Sequence, residues 1–425
     1  MGPLAGMRVL DLTRVLAGPL SGQILADIGA DVVKVERPGT GDDTRAWGPP
    51  FLRDAAGNET RESTYFLCAN RGKRSIAIDL AHADGQALVR ELAAGADVLI
   101  ENFKVGDLAR HGLDYSAIRS VNPRLVYCSV TGYGQTGPYA ARPGYDPIAQ
   151  ALGGLMSVTG ERDDLPGGGP QRAGVAVIDV MTGVYSALGI VAALMHRNAT
   201  GRGQHVDMSL LDVQVATMVN TAQAWLGAGV VTSRVGSGHP SVVPSQIFLA
   251  SDGHVMLTAG NDAQFERFCD AAGCRRLLDD ARFTTNEARV RHRDHVIPAI
   301  TAVIAARPVA AWVDALTAVG VPCAPINDMA AVFSDPQVQA RGLRVDVPDP
   351  VAGMLGLVAS PLRLSDSAVE YRLPPPRLGE HTDAVLREWL GCVDSRIAAL
   401  RATGAIGYAE RVLVRAGDHG AVMFR

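Results

Sequence analysis

Short apolar strands alternate with helical stretches through the first half of the chain, and this alternation limits the fold more than any other feature. Val9 to Leu12 reads as a strand, Pro19 opens a helix that runs to Ile28, Gly29 closes it, and VVKVE (Val32 to Glu36) is the next strand. The pattern returns with SIAIDL (Ser75 to Leu80), a helix carrying Leu88 and Leu92 on one face, DVLIENF (Asp97 to Phe103), a shorter helix and LVYCSV (Leu125 to Val130). Strands alternating with helices predict an α/β fold: a Rossmann-like, doubly wound parallel sheet with helices on both faces. Right-handed crossovers then gather the strands' carboxyl ends on one side, where ligands bind.

Past Asp207 the pattern changes. QIFLASDGHVMLTA (Gln246 to Ala259) predicts two strands around a Ser-Asp-Gly turn, followed by helices near 262–272, 289–306 and 308–319. We expect a large domain begun by residues 1–215, a smaller α/β domain with its linkers over 216–329, and a return to the large domain over 330–425 that ends in a tail. The helix in RLGEHTDAVLREWLG starts at Thr382 or Asp383. A length of 425 residues supports two cores, and 47% hydrophobic against 20% charged residues supports compact folding.

The net charge of −4 balances 40 basic against 44 acidic residues, which argues against nucleic acid or a membrane surface as a partner. The six cysteines lack paired metal spacing, so no metal is expected and reduced thiols are. MGPLAGMRVLDLT has no basic region followed by an apolar stretch, and no run approaches a membrane span, so the expected location is the cytoplasm.

Arg14, Arg37 and Arg110 lie near strand ends, and Arg71, Lys73 and Arg74 immediately precede a strand. Singly such residues solvate loops; grouped at one sheet edge they point to phosphates. Glu36 stands where a ribose-binding acid would in a dinucleotide fold, but TRVLAGPLSG contains no G-x-G-x-x-G, and Pro19 replaces a wanted backbone amide. P-loop, zincin and nucleophile-elbow patterns are also missing. RAGVAVIDVMTGVYSALGIVAAL places Asp179 between an apolar run and a helix. Two readings stay open: an ordinary N-cap, or a carboxylate kept ionised by helix-end N–H groups in an apolar pocket, ready to act as nucleophile or base.

The chain resembles the class III CoA-transferase family, also called CaiB/BaiF, which contains formyl-CoA transferases, carnitine CoA-transferases and α-methylacyl-CoA racemases. The resemblance runs from VLDLTRVLAGP through GADVVKVERPGTGDDTR, NRGKRSIAIDL, DVLIENF, TGYGQTGPYA, the Asp179 segment and TGRGQHVDMSLLD to SDGHVML, DPQVQARGL and PRLGEHT. It implies a CoA-transferase in which Asp179 attacks an acyl-CoA, forming first a mixed anhydride and then an aspartyl-CoA thioester. It implies that Val15, Ala17, Arg37, Asn70, Lys73, Asn102, Phe103 and Arg110 line the CoA site. CoA and acyl-CoA enter as substrates, with carboxylic acids as the other partners, and no tightly bound cofactor is expected. GSGHP, with Gly236 and Gly238, stands where the family carries a glycine-rich lid, and the family's interlocked homodimer is expected here too.

The rival within the family is a racemase using the same aspartate as a base. Its second base is a histidine in a G-H-D segment, whereas this chain reads Gly144-Tyr145-Asp146. Tyrosine, with an ordinary pKa of about 10, is a poor neutral-pH base, so transfer is favoured. A catalytically silent CoA-binding protein is the further alternative. Leu16 replaces the glutamine of formyl-CoA transferases, and the lysine before their equivalent of Tyr145 falls near Pro143, with Arg142 as a stand-in. Oxalate specificity is therefore not implied. An apolar Leu16 in the pocket beside Tyr145 and Asp146 fits a larger or less polar acyl group, with succinyl-CoA or another common thioester as donor.

Overall fold

A computed structural model describes residues 1–408. The chain divides into two compact units. The larger comprises Met1–Gly153, Gly174–Thr217 and the part from Gln337 onward; the smaller comprises Gly154–Ala173 and Met218–Pro336. Residues 154–173, which the sequence reading grouped with the large domain, thus belong to the smaller unit. The expected tail, GYAERVLVRAGDHGAVMFR, lies outside the described residues beyond Tyr408.

The large unit is built on six parallel strands: β1 (Arg8–Asp11), β2 (Asp31–Glu36), β3 (Lys73–Ala77), β4 (Val98–Glu101), β5 (Val126–Thr131) and β6 (His205–Ser209). Their spatial order is β3-β2-β1-β4-β5-β6. The order reverses at β1, which has β2 on one side and β4 on the other, and an open parallel sheet forms its ligand crevice at such a point. Strand residues alternate between two buried faces. Leu10, Val33, Ile76 and Leu99 pack with α2 (Ala83–Ala94) and Val385 and Leu386 of the helix Thr382–Leu390. Val9, Val32, Val98 and Ile100 pack with α1 (Ala17–Asp27) and the long helix α4 (Val177–Thr200). Cover on both faces explains why the strands read as nearly continuous apolar runs.

Between β5 and α4 lies a shorter helix, α3 (Asp146–Leu152). The 24-residue α4 is long and apolar enough, by length and composition, to cross a membrane, a run the sequence reading did not anticipate. One side is core: Ile178, Ala187, Ile190 and Leu194 are buried, while Val184, Leu188 and Met195 are exposed. The helix approaches α1 so closely at Gly183 that a Cβ there would stand 2.8 Å from the Ala17 carbonyl oxygen.

The smaller unit has the expected antiparallel strands, Ser245–Leu249 and His254–Thr258, joined around Ser251-Asp252-Gly253, and a third, Cys323–Pro325, which the sequence did not reveal. Helices Asp262–Ala272, Arg293–Ile304 and Val309–Ala318 close its core around Phe265, Phe268 and Trp312.

Candidate active site

Two cavities open along the carboxyl ends of the large unit's strands. The first, about 320 Å³, is lined by Leu12, Arg37, Leu80 and Arg110 among others; the second, about 270 Å³, by Val15, Leu16, Asn102, Tyr145 and Asp179 among others. They share Arg14, Phe103 and Asp107 as a common wall. The first offers guanidinium groups to an anionic ligand, and the second offers a carboxyl group.

The turn between β1 and α1 separates them and is held in a conformation that local propensity disfavours. Val15 has φ +74°, a left-handed value that costs a β-branched residue roughly 1–3 kcal/mol. Long-range partners fix it. Asn102 accepts from the Arg14 N–H at 3.0 Å and donates to the Arg14 carbonyl at 2.7 Å, while the Asp42 carboxylate accepts from the Val15 N–H at 3.2 Å. Beneath the turn, buried Lys34 pairs with Asp42 at 2.9 Å and donates to the Thr13 carbonyl at 2.7 Å. Burial alone would raise the Asp42 pKa, but the charge of Lys34 and the hydrogen bonds from Lys34 and Thr44 together outweigh it and hold the group at about 2. Glu36 is likewise committed inward, receiving two 2.7 Å hydrogen bonds from Arg45, so it is no ribose ligand.

Asp179 is the third residue of α4, in its first turn, and lines the second cavity. It does not cap the helix. Asp146 does: its Oδ2 accepts from the Ile178 N–H at 2.8 Å and the Asp179 N–H at 3.3 Å, and its Oδ1 accepts from Gln150 at 2.6 Å. Among the described residues the Asp179 carboxyl has no hydrogen-bond partner. Burial, followed by the negative charge of Asp146, pushes its pKa up to about 7. Both open readings therefore need correction, since neither capping nor helix-end stabilisation of the carboxylate occurs. Asp179 is instead a poorly solvated carboxyl poised between its two protonation states at neutral pH, a condition suited to nucleophilic or proton-transfer chemistry.

The other candidates fall into three groups. Val15, Leu16, Ala17, Asn102, Phe103 and Tyr145 line the second cavity, and Arg37, Phe103 and Arg110 the first. Asn70 and Lys73 do not reach either. Both are fully buried, and all three Lys73 donors are used: Asp11 at 2.9 Å, the Pro19 carbonyl at 2.7 Å and Asn70 Oδ1 at 2.9 Å. The Asn70 amide donates to the Phe66 carbonyl at 2.8 Å. As CoA contacts these two are corrected: they brace the base of α1, where Gly22 leaves room that a Cβ, 2.8 Å from Asp11 Oδ2, would take. Arg71 and Arg74, beside them at the start of β3, are held by Asp27 and Asp31, whereas Arg14 and Arg110 pair with Asp43 at 3.4 Å and Asp107 at 2.5 Å through side chains that stay solvent-accessible, so the grouping read as a phosphate signal shrinks to Arg37 and these two surface-paired arginines. Asp146 lies behind the cavity rather than in it. Gly236 and Gly238 belong to the smaller unit, where Gly236 has φ +63° and donates to the Gly160 carbonyl at 3.1 Å.

Sequence reasoning missed Lys104, a further cation of the second cavity, and Tyr65. Burial and then the charge of Asp179 raise the Tyr65 pKa to about 12, and its ring meets Trp47 edge-on at 5.0 Å. Neither residue falls in a pattern that marks it, because their relation to Asp179 exists only in the folded chain.

A β1–α1 turn without the dinucleotide glycine pattern, guanidinium groups in one cavity and a raised carboxyl in the next fit a long anionic thioester better than a dinucleotide. Comparison with known families decides the matter: the family model described as CoA-transferase family III matches residues 4–382. The chain belongs to CoA-transferase family III. It is 49% identical to the succinate–glutarate CoA-transferase of Agrobacterium fabrum over 391 residues, 91% of this chain and 95% of that one. Human succinyl-CoA:glutarate CoA-transferase is 40% identical over 408 residues, 96% of this chain and 91% of the relative. Among solved structures, a CaiB/BaiF family protein from Brucella suis superposes with a TM-score of 0.82 at 43% identity, covering 91% of this chain and 99% of that one. The expected family is thus borne out, and CoA transfer prevails over racemisation as the reaction of this family III CoA-transferase.

Proposed function

We propose that this family III CoA-transferase exchanges CoA between dicarboxylic acids, with Asp179 as the nucleophile. The observation that carries the reading is the Asp179 carboxyl itself, which lines a cavity, accepts no hydrogen bond from the described residues and has a pKa of about 7. Ionised Asp179 attacks the donor thioester carbonyl; the C–S bond breaks, giving an acyl-aspartyl anhydride and CoA thiolate. The thiolate attacks the aspartyl carbonyl, expels the donor acid and leaves an aspartyl-CoA thioester. The acceptor carboxylate then attacks that thioester, the thiolate leaves and returns to the acceptor's own carbonyl, and Asp179 is released. The thioester energy is conserved only if water is excluded from the anhydride.

Arg37 and Arg110 line the first cavity and supply charge for the phosphates of CoA. Val15, Ala17, Asn102 and Phe103 guide the thioester arm towards Asp179. The relatives act on succinate, glutarate, mesaconate and oxalate; apolar, buried Leu16 favours the longer of these acids over oxalate. The Gly236–Gly238 loop serves as the lid that excludes water, with glycine supplying backbone freedom. The exposed apolar face of α4, together with Trp225 and Leu226, is buried in an interlocked homodimer. The enzyme works in the cytoplasm on freely exchanging acyl-CoA.

The test is a matrix of acyl-CoA donors and free acids followed by mass spectrometry. New acyl-CoA species are expected with succinate and glutarate, and none with Asp179→Ala. Alpha-proton exchange of a 2-methylacyl-CoA in deuterated water, with no CoA exchange, would instead favour the racemase.

A further inference from the structure

The second cavity carries one cation that the transfer chemistry leaves unused. Lys104 and Arg142 are both exposed; of the three cations, Arg14 lies 3.4 Å from Asp43 and stacks on Phe103, and Lys104 is a point charge on a flexible stem. Arg142 differs from both. Its guanidinium carbon sits 3.8 Å from the centre of the Tyr139 ring, its backbone N–H donates to the Tyr139 carbonyl at 2.8 Å, and Tyr139 meets Tyr133 edge-on at 5.7 Å. Among the described residues Arg142 has no carboxylate partner. Stacking fixes the plane of a guanidinium and leaves its N–H edge free, the arrangement that binds a carboxylate through two parallel hydrogen bonds.

The segment bearing Arg142 is also positioned. Gly132, which follows β5, and Gly144 touch backbone to backbone: a Cβ on Gly132 would stand 2.6 Å from the Gly144 Cα. That contact pins the chain from Arg142 to Tyr145 against the end of β5, in the cavity of about 270 Å³ that Asp179 also lines. A monocarboxylic acid spends its one carboxylate in the reaction with Asp179. A fixed and otherwise unpaired guanidinium in the same cavity therefore implies a second carboxylate on the substrate.

The geometry points to Arg142 as the residue that selects dicarboxylic acids, by binding the carboxylate that does not react, with Tyr139 as its platform. This rests on the reading of Asp179 as the site of transfer. The phosphates of CoA do not compete for the role, because the arginines suited to them line the other cavity.

Internal competition tests it. Equal glutarate and pentanoate, acids of the same chain length, are offered with one donor, and the ratio of glutaryl-CoA to pentanoyl-CoA is read by mass spectrometry. That ratio reports relative kcat/KM and depends neither on the donor nor on the fraction of folded enzyme. The wild type is expected to favour glutarate. Arg142→Ala should lower the ratio roughly 10- to 100-fold, the range for loss of a charge-assisted hydrogen bond, and Arg142→Lys and Tyr139→Leu should lower it less. An unchanged ratio in Arg142→Ala, or a wild type indifferent to the second carboxylate, overturns the inference while leaving CoA transfer at Asp179 standing. Failure of the wild type to transfer CoA to any acid removes the underlying reading, and the inference with it.

Discussion

Replacing Asp179 with asparagine should abolish transfer and at the same time stabilise the protein, by an amount that grows from acid to neutral pH and is fully present above it. Folding raises the Asp179 pKa from 3.8 to about 7. The folded state therefore binds the proton more tightly, and stability conferred by that proton is complete below pH 3.8 and lost as pH rises to about 7. Above this range the ionised carboxylate is a net cost of folding. About three pKa units correspond to an upper limit of ~4 kcal/mol at 1.36 kcal/mol per unit. Asp179 faces an open cavity, and solvent screening reduces the figure to about 1–2 kcal/mol. Asparagine keeps the shape, removes the charge and also relieves repulsion with Asp146. Asp179→Asn should therefore melt about 2–4 °C above the wild type at pH 8, a size expected for a unit this large, and level with it only below pH 3.8, where Asp179 is protonated in both folded and unfolded states. Paired thermal scans at the two pH values read the effect. An asparagine variant no more stable than the wild type at pH 8, or equally stabilised at both pH values, refutes the claim that the site holds its carboxylate at a cost.

The same pKa predicts activity that falls with acid: kcat/KM should drop as pH descends through about 7, as Asp179 takes up its proton. In Asp146→Asn, where the neighbouring negative charge is gone, a pH–rate profile should show that limb displaced to lower pH; an unmoved limb contradicts the coupling. Arg37→Ala and Arg110→Ala should each raise the KM for acyl-CoA about 10-fold with little change in kcat, and the loss should vanish with an acyl-pantetheine lacking the nucleotide. Lys73→Met leaves the Asp11 carboxylate buried without its partner, so urea unfolding should register a loss of about 3–5 kcal/mol; a folded, stable variant with weakened CoA binding would restore Lys73 as a ligand.

Features of the fold that depend on neighbours in sequence were legible. The strand–helix rhythm, Gly29 ending α1, and the turn at Asp252-Gly253 follow from periodicity and local conformational preference. Features set by partners far along the chain were not. The helix holding Asp179 is capped from Asp146, 33 residues earlier, so the local pattern assigned the cap to the wrong aspartate. Lys73 looked like an exposed loop cation because Asp11, which buries it, lies 62 residues away on β1. Arg37 and Arg110 could be placed by their positions after strands, since parallel order brings those ends together whatever the side chains do. Asp179 and Tyr145 were found by resemblance; their shared cavity was visible only in the structure.

The central claim is that Asp179 becomes covalently acylated, and trapping that intermediate tests it most directly. The wild-type enzyme is incubated with succinyl-CoA, quenched with hydroxylamine and mapped by peptide mass spectrometry. The account predicts a hydroxamate at Asp179, dependent on the thioester and absent from Asp179→Asn. Turnover with no modified residue, or a hydroxamate on a different side chain, would contradict it.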